Sequence, residues 1–235
     1  MILRLIKAIA SFTLLGFISL STTAWASAPD YQQLPSHDGG FGSDPVIFIV
    51  ADDFQLTQEA SLQSITWWGG YASSYYLPIP DADNFLISLY ADDSGKPGSL
   101  LQSFNVGNDA SRTSTGDFVN PPDFSNPFFI FPGRAEFQYS FNLSTAFPLH
   151  ADTHYWLSIV NSPSYDSWVW ENSINFPNPG VQRSFMGGAW EPFDTENTAF
   201  SLGLTSPVPE PETYAMLLVG LGLLGFMVHR KKQNA

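Results

Sequence analysis

Seven tryptophans and nine tyrosines in 235 residues are the side chains best suited to gripping a ligand, because flat rings stack on sugar faces. They gather as Trp67-Trp68 with Tyr71, Tyr75 and Tyr76, and as Trp156 with Trp168, Trp170 and Trp190. Trp68, Tyr71, Trp168 and Trp170 are the candidates for glycan stacking. Neighbours on a strand point to opposite faces, so at most one of Trp67 and Trp68 faces a core, and the same holds for Tyr155 and Trp156. The competing use of any single ring is burial in that core.

Carboxylates form the second candidate chemistry. They pair at Asp52-Asp53, Asp81-x-Asp83 and Asp92-Asp93. Calcium takes six to eight oxygens, so Asp52, Asp53 and Asp92 are weak candidates for a structural calcium; no other cofactor is expected. None of the pairs follows the Asp-x-Asp-x-Asp-Gly loop, and solvated turn carboxylates account for them without metal. His150 and His154 flank Asp152, a spacing that aligns ligands on a helix but here straddles a loop and a strand start. Ser36-His37-Asp38 is a contiguous triplet, whereas catalytic triads converge from distant positions. There is no cysteine, no nucleophile elbow and no phosphate loop. No catalytic residue is assigned, and the expectation is a protein that is not an enzyme.

The elements that must carry these residues are strands. Phe85, Ile87 and Leu89 alternate with Leu86, Ser88 and Tyr90, and Phe137, Tyr139, Phe141 and Leu143 repeat the two-residue period. Tyr155, Leu157 and Ile159, then Phe200, Leu202 and Leu204, do the same. Further strands are expected at Val46–Val50, Leu62–Trp68, Leu100–Val106, Phe128–Phe131, Trp168–Trp170 and Arg183–Met186. Asp92 to Gly98 is a turn, and the polar stretch Gly107 to Asn126 reads as a long loop or irregular edge. An all-β fold follows, an antiparallel β-sandwich that is jelly-roll-like.

Charge narrows the partners. Between Pro29 and Pro209 stand four cations and 20 carboxylates, a net of −16, so nucleic-acid phosphate is repelled. The remaining five cations sit at the ends. Arg4 and Lys7 precede an apolar run from Ala8 to Leu20, and Ala24-Trp25-Ala26 supplies a small-residue cleavage pattern. Residues 1–26 are therefore expected as a signal peptide for the Sec machinery, leaving a secreted domain at 27–206. Val208-Pro209-Glu210-Pro211 follows, where prolines fix φ and remove donors. Next comes an apolar, glycine-laced segment, a membrane helix at about 213–228, and then the basic cluster Arg230, Lys231 and Lys232. Sixteen helical residues span about 24 Å, short of a hydrocarbon core of about 30 Å.

Residues 207–235 together resemble the PEP-CTERM sorting signal of Gram-negative bacteria. That resemblance implies that an exosortase, a membrane-embedded cysteine transpeptidase, recognises Pro209, Glu210 and Pro211 and removes the tail. It implies transient anchoring in the inner membrane with the domain outside the cytoplasm, then release to the cell surface or extracellular matrix. The middle is similar to β-domains carried by such proteins, in Ala51-Asp52-Asp53-Phe54, Ile65 to Tyr71, Phe85 to Tyr90, and Tyr155 to Ile159 before Trp168-Val169-Trp170. The expected role is structural or adhesive, in association with exopolysaccharide. A carbohydrate-binding module is one alternative. A secreted hydrolase is another, to be recognised by carboxylates or histidines converging in a cleft.

Overall fold

The computed structural model describes residues 31–45, 48–72, 78–125, 131–163, 166–174, 179–184, 187–192, 196–206 and 217–224. The expected signal peptide, Tyr75 and Tyr76, Pro209-Glu210-Pro211 and Arg230 to Lys232 lie outside the described residues, as do most of Phe128–Phe131 and the end of Arg183–Met186.

Two antiparallel sheets carry the fold. Sheet A is organised by β4 (Ala60–Tyr71), whose Ile65, Trp67 and Tyr71 face inward at the two-residue period. One edge of β4 pairs with β8 (Arg134–Leu149), which pairs onward with β7 (Ser111–Asn120). The opposite edge is divided lengthwise. Ser61 to Trp67 pair with β14 (Phe200–Thr205), and Gly69 to Tyr71 with β10 (Trp168–Ser173). Onto these add β1 (Tyr31–Gln33) beside β14, and β2 (Pro35–Gly42) and β13 (Asn197–Thr198) beside β10. Sheet B runs β12 (Glu191–Pro192), β11 (Val181–Ser184), β3 (Phe48–Gln55), β9 (His154–Asn161), β5 (Phe85–Asp92) and β6 (Pro97–Gly107).

The inward faces meet in one aromatic core. Phe85 of sheet B is edge-on to three rings of sheet A: Trp67 at 5.0 Å, Tyr139 at 4.9 Å and Trp168 at 5.3 Å. Each such pair adds about 0.5–1.5 kcal/mol beyond the area it buries. Most connections cross between sheets, as in a jelly roll, but β5–β6 and β7–β8 are hairpins within one sheet.

Of the two readings of Gly107 to Asn126, the irregular edge is the one that holds: its Ser111–Asn120 stretch is an edge strand, with register shifts between Ser114 and Phe118 and between Phe118 and Asn120. Its polar, hydroxyl-rich sequence suits an edge whose outer side meets water. Pro35–Gly42 also joins a sheet, although its glycines and proline give no apolar alternation. It is held from outside, by pairing with Val169 to Ser173.

The segment expected as a membrane helix is described only at 217–224, where it is helical and exposed throughout. Among the described residues no helix is long and apolar enough to cross a membrane.

Candidate functional site: an acidic pocket on the outer face of sheet A

Sheet A has a second face, turned away from sheet B. On β8, Phe137 and Tyr139 point into the core, so Glu136 points outward; on β10, Trp168 and Trp170 point inward, so Glu171 points outward. An outward carboxylate on a sheet normally meets water, yet these two are 1% and 0% exposed. The cover comes from the sheet itself. β2 and β7, its two edge strands on this side, come together over β4: a Cβ placed on Gly39 would stand 3.5 Å from Nδ2 of Asn120. Gly70 of β4 pairs with Val169 on β10, and a Cβ there would press on the Ala135 carbonyl and approach Val119 of β7.

His37 closes the pocket from β2. Its φ is 62°, a left-handed conformation that costs on the order of 1–3 kcal/mol in a residue with a side chain. That backbone turn aims both of its donors inward. The His37 N–H donates to Oε1 of Glu171 at 3.0 Å, while Nδ1 lies 2.9 Å from Oε2 of Glu136 and 3.3 Å from Oε1 of Glu171. Ser36 Oγ donates to Asp38 and to the Asn172 carbonyl, pinning the turn to β10. Asp117 of β7 brings a third carboxylate, and one ligand atom each from His37, Asp117 and Glu136 lies within 4.8 Å of the others. Glu171 is pushed up to about 10, first by burial and then by the hydrogen bond and charge of Glu136 beside it. Two buried acids face each other, and a shared proton or a cation is what relieves them.

The residues singled out in the sequence fall elsewhere. Trp68 is 8% exposed, and Tyr71, Trp168 and Trp170 are fully buried, so these four rings present no face to a glycan. Trp168 and Trp170 fill the space between the sheets, and Trp170 Nε1 donates to the Ala199 carbonyl at 2.9 Å. Tyr71 belongs to a buried lock. Its hydroxyl donates to Asp83, which also accepts from Asn161 Nδ2 at 2.7 Å and from Arg112 at 3.2 Å. Burial, followed by Asp83, pushes the Tyr71 phenol well above its usual value.

The calcium candidates do not converge. Asp52 accepts from the Thr198 N–H at 2.5 Å and the Thr198 hydroxyl at 3.0 Å. Asp53, on the opposite face of the same strand, lies 3.2 Å from Nδ1 of His154. Asp92 accepts from Trp156 Nε1 at 2.8 Å and caps the turn through the Gly95 N–H at 3.1 Å. His150 and His154 both line an open cleft of about 600 Å³ with Asp92 and Tyr155, but His150 sits 3.7 Å from Glu59. Among the described residues, the group of side chains close enough to share a metal is His37, Asp117 and Glu136.

Of that group, sequence reasoning reached His37 and set it aside, and it missed Asp117 and Glu136, along with Glu171 beside them. One signal was present: Glu171 directly follows Trp168-Val169-Trp170, a carboxylate inside a strand otherwise destined for burial.

The family described as "Domain of unknown function (DUF7901)" matches residues 25–213. The chain belongs to that family. The PEP-CTERM protein-sorting motif matches residues 207–231, at its C-terminal end. No curated protein and no solved structure matches the chain. The DUF7901 domain is thus an exported domain with an exosortase-type sorting tail, anchored through its C-terminus before processing.

Proposed function

We propose that this DUF7901 protein is a non-enzymatic structural or adhesive component of the cell surface or extracellular matrix, held in association with exopolysaccharide once its tail is removed. The observation that carries the reading is the junction. β14 ends at Thr205 and the sorting motif starts at residue 207, so the tail follows the last described strand and can leave without taking a described strand with it. The strongly acidic domain favours solubility, and suits cation-bridged contact with anionic polymers. Fractionation of cells with and without exopolysaccharide synthesis tests it. The protein is expected in the matrix fraction of the first and in the free medium of the second; an identical distribution overturns the reading.

A secreted hydrolase is the second reading, favoured by the convergence of His37, Glu136 and Glu171. The spacing argues against glycoside hydrolysis by two carboxylates. That chemistry needs them about 5–5.5 Å apart, or about 6.5–9.5 Å apart with a water between, whereas Glu136 and Glu171 are hydrogen-bond neighbours. Release of reducing ends from matrix polysaccharide, abolished by Glu136→Gln, would establish the hydrolase instead.

A further inference from the structure

The pocket beneath β2 sets two buried carboxyl groups and Asp117 around the His37 imidazole. Glu136 and Glu171 are buried against each other, and apart from that mutual contact and the Glu136–His37 ion pair no other residue donates to Oε2 of either. Leaving such atoms bare in a low-dielectric site is costly unless something positive sits among them. We propose that His37, Asp117 and Glu136, with Glu171 packed against His37 beside them, bind one divalent transition-metal cation of the zinc or manganese class.

The geometry has the right scale. Two ligand atoms each about 2.0–2.1 Å from a tetrahedral ion stand ~3.3 Å apart. Nδ1 of His37 lies 2.9 Å from Glu136 Oε2 and 3.3 Å from Glu171 Oε1, so an ion can take the place of the imidazole proton between them. An imidazole nitrogen among the ligands selects against calcium, which is bound through oxygen. The three ligands come from β2, β7 and β8, with Glu171 of β10 beside them, and a bound ion therefore clips together the edges of sheet A. The inference stands on the pocket alone, independent of where the protein is sorted.

The test uses the whole chain, purified in detergent, stripped with chelator and titrated separately with zinc, manganese and calcium ions. Expected are one equivalent of zinc or manganese by calorimetry and elemental analysis, and a melting temperature raised by several degrees. His37→Ala and Glu171→Gln are expected to weaken binding tenfold or more, while Asp92→Asn, outside the pocket, leaves it unchanged. Glu171→Gln keeps an acceptor for the His37 N–H, so the stripped variant should melt no lower than the stripped parent. Cobalt gives a second readout, a visible absorption band of a tetrahedral site that His37→Ala removes. The inference is overturned by binding far from one equivalent, by binding undiminished in both variants, or by calcium binding in preference to zinc and manganese.

Discussion

At the scale of single residues, buried charge decides what is fragile. Arg112 donates to Asp83 at 3.2 Å, to the Tyr71 hydroxyl at 3.2 Å and to the Pro80 carbonyl at 3.0 Å. Its removal leaves Asp83, 7% exposed, without its cation. Arg112→Ala is expected to destabilise the domain by about 2–3 kcal/mol, read as a lower urea midpoint, with Arg112→Lys recovering only part because an ammonium lacks the planar guanidinium that lies over the Tyr71 and Phe137 rings. Asp52 sets a pH dependence. Burial pushes its carboxyl up to about 8, against ~3.9 in an unfolded chain. The native state thus keeps a proton that the unfolded chain releases, so this stabilisation is complete below about pH 4 and drains away as pH rises toward 8. Asp52→Asn, whose amide resembles the neutral acid, is expected to flatten the slope. Paired melts of parent and variant from pH 4 to 8 measure it: the difference should move in the variant's favour by on the order of a few kcal/mol.

At the scale of elements, β4 sets the geometry because it is paired along both edges. Its glycines are packing requirements. A Cβ on Gly69 would press on the Val169 carbonyl and stand 2.6 Å from the Trp168 ring, whereas one on Gly42 would meet nothing within 4 Å. Gly69→Ala is therefore expected to cost about 1–3 kcal/mol, and Gly42→Ala to change stability by less than about 0.5 kcal/mol, both by chemical denaturation. Strands with apolar alternation, such as Phe85 to Tyr90 and Tyr155 to Ile159, were legible in the sequence and stand as β5 and β9. Those held by a neighbour were legible at most as an irregular edge. Ser111–Asn120 and Pro35–Gly42 carry no apolar period of their own and become strands because β8 and β10 offer them free edges. Their positions are also what bury Glu136 and Glu171, so the candidate site was hidden for the same reason.

At the scale of the whole molecule, the domain and its tail are separate devices. The core closes within residues 31–206, and 217–224 is an exposed apolar helix with Leu217, Leu218 and Leu221 each more than half exposed. Truncation after Ser206 is expected to leave the domain's unfolding free energy within about 0.5 kcal/mol of the full chain, since no described strand is lost. Replacing Pro209 and Pro211 by alanine is expected to leave the leucine-glycine segment and terminal lysines on the exported protein. Mass spectrometry of its C-terminus, in cells with a working exosortase, checks this.

The sequence by itself determined the all-β class and the sorting tail, because both rest on local order: a two-residue apolar period, and a proline motif followed by an apolar run and basic residues. Only the tertiary structure decided which aromatics are core and which acids converge. Trp168 and Glu171 stand three residues apart on one strand, yet one faces the opposite sheet and the other a pocket roofed by β2 and β7. Whether a strand face is wet or buried depends on what folds over it, and the elements that do so here are 134 and 54 positions away in the chain, His37 and Asp117.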